Sequence, residues 1–505
     1  MNPLMPKREM KTTMTKIALA VCMLALLSAP FKTSAQESSY LYADVNGDGV
    51  VDIADMVIVI DCILDSGNGG FLPNPNIDPR FISAEDYGAV GDGVTDDTQA
   101  LESLFEAAFR FKKAVYLNPG TYLIRRSLPL KSGMEIYGSE ATITKGKAVT
   151  TTLTDAAVKG QSYIDVTDAS GFNVGDQFFI ADEDGDNWFT HAVVNRIEGN
   201  RIHFKSIISE QQPAMWGCVK AHAAGSRVST SFALLRSWTA RYECDGVSVH
   251  DLTLDGNREE SEPTTWTSSC LCLDVYRPGG FTDQSGIEYR NVQRNLSVRN
   301  LTIKNSPGDG ICDLGEGGLN VNDCVVTNSA MHGVHMGCGF RHALLSGNKL
   351  TGNGSLGSGM FFSQEVTDVL LDNNEITSFE HGCGVDDSDA CVKYALVRNN
   401  QFSSITGDVF AFSTASADAG GVLQISNNTI NGLGAMLFTG DNLDGVLMTG
   451  NEVKTVTSLP PSAMRVVQCN NVILSSNKLP SSATFSTPVI STGTTNIIQA
   501  SNSWN

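Results

Sequence analysis

Two of the chain's eight histidines, His332 and His335, lie three residues apart in "NSAMHGVHMG", residues 328–337. Imidazoles titrate near neutral pH, so such a pair can take and give protons in catalysis. It can also chelate zinc, but the local spacing offers no clear third ligand. Aligning the small-apolar pairs Gly310-Ile311, Gly333-Val334, Gly359-Met360 and Gly382-Cys383 puts Asp309, His332, Ser358 and His381 in one column. A second column, three residues on, reads Cys312, His335, Phe361 and Gly384. Alternation along a strand then points Val334 inward and His335 outward. The result is a polar groove crossing several repeats, with Asp386, Asp387 and Asp389 of "VDDSD" at its far end. Lys304, Arg341, His342, Lys393 and Arg258 are the basic residues expected to line it, with Trp266 from a long excursion beside Arg258.

The elements that would carry these columns are short and repetitive. In "VRNLTI", "NDCVV", "SGNKL", "DNNEI", "RNNQF", "SNNTI", "TGNEV" and "SSNKL" one polar position recurs, at Asn300, Asp323, Asn348, Asn374, Asn400, Asn428, Asn451 and Asn477. Asp251 extends the series upstream and Asn502 downstream. Apolar-alternating strands that recur about every 25 residues, separated by Gly and Asn, predict a β-solenoid with asparagines stacked along a turn column. Residues 150–226 break the period with hairpin-like alternation, predicting an inserted β subdomain. Residues 256–290 form a second excursion, and long loops on a solenoid tend to be functional.

Upstream of the repeats the chain changes character. Lys7, Arg8, Lys11 and Lys16 precede the apolar run "IALAVCMLALLSAPF" and the small-residue stretch ending at Ala35, the pattern of a secretory signal peptide over residues 1–35. No later stretch is apolar for the ~18 residues of a membrane span. Five basic residues and one acidic residue leave with the signal, so the charge of −20 becomes −24. Such a field repels polyanions, which speaks against nucleic acid and requires a local basic patch for any acidic polymer. Eleven cysteines then remain, at no disulfide-scaffold spacing.

"DVNGDGVVDIAD", residues 44–55, sets oxygen donors at loop positions 1, 3, 5, 9 and 12: Asp44, Asn46, Asp48, Asp52 and Asp55. Val50 lends a carbonyl at position 7 and Gly49 makes the turn at 6, which is calcium-loop spacing. With the apolar segment "MVIVIDCILD" behind it, the stretch resembles one type I dockerin repeat over residues 36–65. That resemblance implies calcium and a cohesin-like partner. Residues 66–82 read as a linker.

"DYGAVGDGVTDDTQALESLFEAA", residues 86–108, followed by "AVYLNPGTYLI", resembles the opening of pectate-lyase-superfamily parallel β-helices. Thr95 is the expected cap of a helix running to about residue 112, with Asp92, Asp96 and Asp97 capping rather than binding metal. The resemblance implies an all-β, right-handed parallel β-helix over residues 83–505 with an N-terminal capping helix. Its members include polysaccharide lyases, polygalacturonase-type hydrolases and tailspike-like binding proteins, among which fold alone does not choose. A lyase needs a cation to neutralise a uronate carboxylate, a base for the α-proton and an acid for the leaving oxygen. Arg341 or Arg258, His332 or His335, and His381 are the residues expected to fill those roles. The substrate expected from general resemblance is a glycosaminoglycan such as chondroitin or dermatan sulfate. A calcium ion is the other way to neutralise the carboxylate. The hydrolase alternative makes Asp309 the acid, with Asp386 or Asp387 the base. A non-catalytic carbohydrate-binding β-helix is the second alternative.

Overall fold

The computed structural model describes residues 80–503, apart from 182–189, 207–217, 219, 238–243, 262–267, 274–280, 283–287, 290–292, 316, 338–339, 355–356, 364, 386–390, 414–420, 459–461, 482, 484 and 486. The signal-like segment, the calcium-loop residues 44–55, Trp266, Asp386, Asp387 and Asp389 lie outside the described residues. All described residues belong to one unit, Asp78–Asn505.

Three long parallel sheets, here called A, B and C in the order the chain visits them, hold 13, 11 and 11 strands among the described residues. One coil runs from Leu319–Asn322 in sheet A to Val325–Thr327 in sheet B and Val334–Gly337 in sheet C, then returns to sheet A. Each strand pairs in register with its counterpart in the next coil, so side chains of like type stack. In sheet A the inward column Val298, Val321, Leu345, Leu371, Val397, Ile425, Met448 and Leu474 is continuous and fully buried. Each such side chain contributes roughly 1.5–3 kcal/mol on leaving water, which is why strands of three to five residues suffice. The architecture is a parallel β-helix, as the repeat predicts.

The asparagine ladder exists, but its first asparagine is Asn348, two coils after Asn300 and three after Asp251, where the sequence alignment places them. The side-chain amide of Asn348 donates to Asn374 Oδ1 at 2.9 Å, and the same link repeats through Asn400, Asn428, Asn451, Asn477 and Asn502. The backbone N–H of Cys324 donates to Asn348 Oδ1, so Cys324 holds the ladder position in that coil and Asp323 sits one residue before it. Asp251, Asn300 and Asp323 belong instead to the adjoining column, whose φ angles of 50–60° also recur at Asn373, Asn399 and Asn427. Left-handed backbone selects Asn, Asp and Gly for their short side chains, the same residue types as the ladder. The two neighbouring columns are therefore easily exchanged by one residue.

Six strands between Thr150 and Thr230 form a separate antiparallel sheet with its own core. Phe178 and Phe204 meet there edge to face, with centroids 5.4 Å apart. Helix α1, Thr98–Phe111, buries Leu101, Leu104, Phe105 and Ala108 against the first coils. Thr95 is not its cap and lies in the preceding strand, Asp92–Asp96. Asp92 accepts from the N–H groups of Val94 and Thr95, and Asp97 from those of Val90 and Gly91, so these carboxylates fasten the turn. The eight free cysteines found among the described residues are all buried. No helix among the described residues is long and apolar enough to cross a membrane.

Candidate active site

Six successive strands of sheet C carry the two columns: β1 (Ile311–Asp313), β2 (Val334–Gly337), β3 (Ser358–Ser363), β4 (His381–Val385), β5 (Phe410–Ser413) and β6 (Phe438–Asp441). Val334 and Met336 enter the core, and His335 projects from the opposite face, paired with Cys312 below and Phe361 above. The B-to-C turn entering β1 carries Asp309, which is fully buried.

Asp309 holds the next coil at two points. Its Oδ1 accepts the backbone N–H of His332 at 3.0 Å, and its Oδ2 meets Nδ1 of His335, also at 3.0 Å. A carboxylate only accepts, so Nδ1 of His335 carries a proton and Nε2 keeps its lone pair. That Nε2 lies 2.8 Å from Oγ of Ser363, whose hydroxyl donates to it. Burial alone would raise the pKa of Asp309, but the nearby imidazole of His335, its hydrogen bond and the bond from His332 hold it below the usual carboxylate range. Asp309 is thus ionised and its oxygens are committed. Both engagements disfavour it as the proton donor of the hydrolase reading.

His332 is arranged differently from its neighbour. Its Nδ1 accepts the N–H of Ser358 at 2.9 Å, which places its proton on Nε2. Its ring lies flat on Phe361, centroids 3.9 Å apart and planes 5° apart, while the His335 ring stands edge-on to Phe361 at 4.8 Å. Burial pushes the pKa of His332 down to about 4, so the ring is neutral near pH 7 and serves as an N–H donor rather than a charged group. The two histidines do not converge on a common ion. Asp309, Cys312 and His335 do bring one ligand atom each within 4.8 Å of one another. That set leaves out His332 and takes in Cys312, whose sulfur is 3.8 Å from Nδ1 of His335.

The first column continues past His381 to Asp408. Nδ1–H of His381 donates to the Asp408 carbonyl at 3.2 Å, and Nε2, on a half-buried ring, lies 3.9 Å from Glu380 Oε1. Asp408 repeats the geometry of Asp309: Oδ1 accepts the N–H of Met436, and Oδ2 accepts the hydroxyl of Thr439, which occupies on β6 the column position of His335 on β2. In place of the imidazole there is a hydroxyl.

The basic residues expected to line the groove are spread over the coil. Lys304 ends a sheet B strand and is paired with Asp255 at 3.1 Å. Arg258 donates to Asn328 Oδ1 at 3.1 Å, bracing the turn that leads to His332. Exposed Arg341 and half-buried Lys393 lie in sheet A, in one row through Thr367, and His342 beside Arg341 faces Asp368 at 3.4 Å. Sequence distance does not tell which of three faces a residue joins. Arg341 remains close in the chain to the site, four residues past the end of β2 at the C-to-A corner. Ser363 escaped the column alignment, although it follows Phe361 by two residues and so shares its outward face. Gly337, its partner on β2, leaves room for it: a Cβ there would stand 2.1 Å from Ser363 Oγ.

Residues 81–208 match the family described as "Rhamnogalacturonase A/epimerase, pectate lyase-like", and residues 285–456 match "Right handed beta helix region". Among curated proteins, the plasmin and fibronectin-binding protein A of Streptococcus pneumoniae is 43% identical over 68 residues, 13% of this chain and 10% of that protein. The chain thus spans a small fraction of the curated relatives it matches. Among solved structures, the A-module of the mannuronan C-5 epimerase AlgE4 of Azotobacter vinelandii is 15% identical, covering 81% of this chain and 97% of that one with a TM-score of 0.46. The exopolygalacturonase of Thermotoga maritima is 14% identical, covering 84% and 93%, also with a TM-score of 0.46. The chain has a pectate-lyase-like parallel β-helix fold.

Proposed function

We propose that the chain is an exported polysaccharide lyase that cleaves a uronate-containing polymer by β-elimination on the outer face of sheet C. The observation that carries this reading is the buried Asp309–His335 pair. An ionised carboxylate fixes the proton of His335 on Nδ1 and stabilises the imidazolium that forms when Nε2, which accepts the Ser363 hydroxyl in the resting site, takes the α-proton once substrate displaces that hydroxyl. His381, with Nδ1–H held by a carbonyl and Glu380 3.9 Å from Nε2, protonates the leaving oxygen from Nε2 when the ring is an imidazolium. Arg341 is the residue proposed to pair with the uronate carboxylate, because removal of the α-proton requires that charge to be neutralised. The commitment of both Asp309 oxygens disfavours the polygalacturonase-type alternative. The dockerin-like loop at 44–55 is proposed to hold calcium and to tether the enzyme to a cohesin-like partner.

The test is to incubate the full chain with chondroitin sulfate, dermatan sulfate, hyaluronan, polygalacturonate and alginate, following ultraviolet absorbance and new reducing ends together. Elimination gives both signals, because the new non-reducing uronate carries a conjugated double bond. Chondroitin or dermatan sulfate is the expected substrate. Reducing ends without absorbance would replace the lyase with a hydrolase, and neither signal on any polymer would favour a binding protein.

A further inference from the structure

The hydrogen bonds of this site do not stop at the imidazole. Asp309 Oδ2, His335 Nδ1, His335 Nε2 and Ser363 Oγ form one chain with steps of 3.0 and 2.8 Å across the ring. Carboxylate, imidazole and hydroxyl in that order make the relay by which an alcohol becomes a nucleophile, a geometry recognised by roles rather than by fold. We propose that Ser363 is a nucleophile and that this face of sheet C hydrolyses carboxylic esters, of the kind formed by an acyl group on a sugar hydroxyl.

Four features besides the distances support it. The carboxylate is pinned by the N–H of His332 as well as by the imidazole, so the ring that it orients is fixed. His335 is nearly enclosed, with 8% of its side chain exposed, whereas Ser363 is only half-buried, so an ester reaches the hydroxyl before the base. Gly337 clears the volume that the Ser363 hydroxyl occupies, since any Cβ at that position would displace it. His332, flat against Phe361 with its ring centroid 5.6 Å from that of His335, carries its proton on Nε2, and that N–H is the donor proposed for the developing oxyanion. The Asp408 repeat of the same scaffold ends in Thr439 with no imidazole between, so it has the hydrogen bonds without the base.

The reaction balances with water as the only co-reactant. Ser363 Oγ attacks the acyl carbon as its proton passes to His335 Nε2. The C–O bond to the sugar breaks, and the sugar oxygen leaves with that proton. Water then gives a proton to Nε2 as its oxygen adds to the acyl carbon, the bond from that carbon to Ser363 Oγ breaks, and the proton on Nε2 passes to Oγ as the free acid departs.

The proposal stands on the relay and not on the lyase reading. Treat the full-length protein with a fluorophosphonate, locate the adduct by peptide mass, and measure acetate release from p-nitrophenyl acetate and from an acetylated polysaccharide. We expect one equivalent of label on the peptide containing Ser363, no label there in Ser363→Ala, and acetate release slowed by a factor of ~10² or more in His335→Ala. A native protein that is folded by circular dichroism yet takes no label at Ser363 between pH 6 and 9 overturns the proposal. So does Ser363→Ala releasing acetate at the native rate. Label and acetate release without unsaturated products would leave this proposal standing and remove the lyase reading; unsaturated products without label would do the reverse.

Discussion

The buried asparagine ladder and the column that starts at Asp309 are both built from one turn residue per coil, yet they spend their polar atoms differently. From Asn348 to Asn477, each side-chain nitrogen donates both to the next asparagine and to a backbone carbonyl such as Val321, Leu345 or Leu371. Every atom is used within the wall, and these residues are 0–1% exposed. Asp309 and Asp408 spend both carboxylate oxygens on the neighbouring coil, whereas His332 and His381 each use one ring nitrogen there and keep the other. A stack of identical residues closes the solenoid; a stack of different residues in an equivalent turn leaves atoms over for chemistry. Asp309 and Asp408 then narrow the lesson, since the same carboxylate geometry ends in His335 at one and Thr439 at the other.

The largest expected effect separates those two acids. His335→Ala should lower turnover on the polymer by a factor of ~10² or more, and Asp309→Asn should approach that loss, because each removes a proton-transfer partner. Asp408→Asn, at the end without an imidazole, should lower it far less, and equal losses at the two acids would erase the distinction drawn here. Next comes the ladder. Asn400→Ala strips partners from Asn374, Leu371 and Asn428 in a dry wall, costing about 3 kcal/mol in denaturant unfolding while turnover per folded molecule holds. A ladder variant as stable as the native protein would show that these bonds are not what closes the coils.

How far this arrangement is legible in sequence depends on the residue. The alternation that buries Val298, Val321 and Leu345 and the period near 25 residues give the fold directly, since a strand's two faces are written in its letters. Asn300 and Asp323 fall in the wrong column because left-handed turns and buried ladders favour the same small amides and acids. The join of Asp309, His332 and His335 is readable from the two columns. The fate of Asp309 is not, because its burial and its two hydrogen bonds depend on the coil above. Ser363 requires knowing that β3 extends two residues past Phe361, and the scatter of Arg341, Lys304 and Lys393 over two sheets requires knowing where each coil turns a corner.

Two smaller predictions probe regions away from the columns. Asp44→Ala with Asp48→Ala should abolish calcium binding by the full chain, measured by titration calorimetry, while polymer turnover stays within about twofold, as for a separate appendage. Asp313 points inward on β1, where burial raises its pKa to about 7, against the bond from Gly315 N–H. The native state therefore holds a proton that the unfolded chain has released. Stability from this group is complete below the unfolded value of 3.8 and is lost as pH rises through about 7. His332 has the opposite sign: with a folded pKa of about 4, it costs stability as pH falls from 6.5 toward 4. Asp313→Asn should thus gain melting temperature over the native protein progressively between pH 4 and about 7, and no further above that. A gain independent of pH would mean that Asp313 is not protonated in the fold.

The central claim is one of place: chemistry occurs on the outer face of sheet C, where Asp309 and His335 meet. A crystal structure of His335→Ala soaked with an oligosaccharide of the proposed polymer substrate tests it directly. The account predicts sugar density across β2, β3 and β4, in contact with Phe361 and Ser363 and within reach of His381. Density confined to the outer face of sheet A or sheet B, with the space around residue 335 filled only by water, would contradict it.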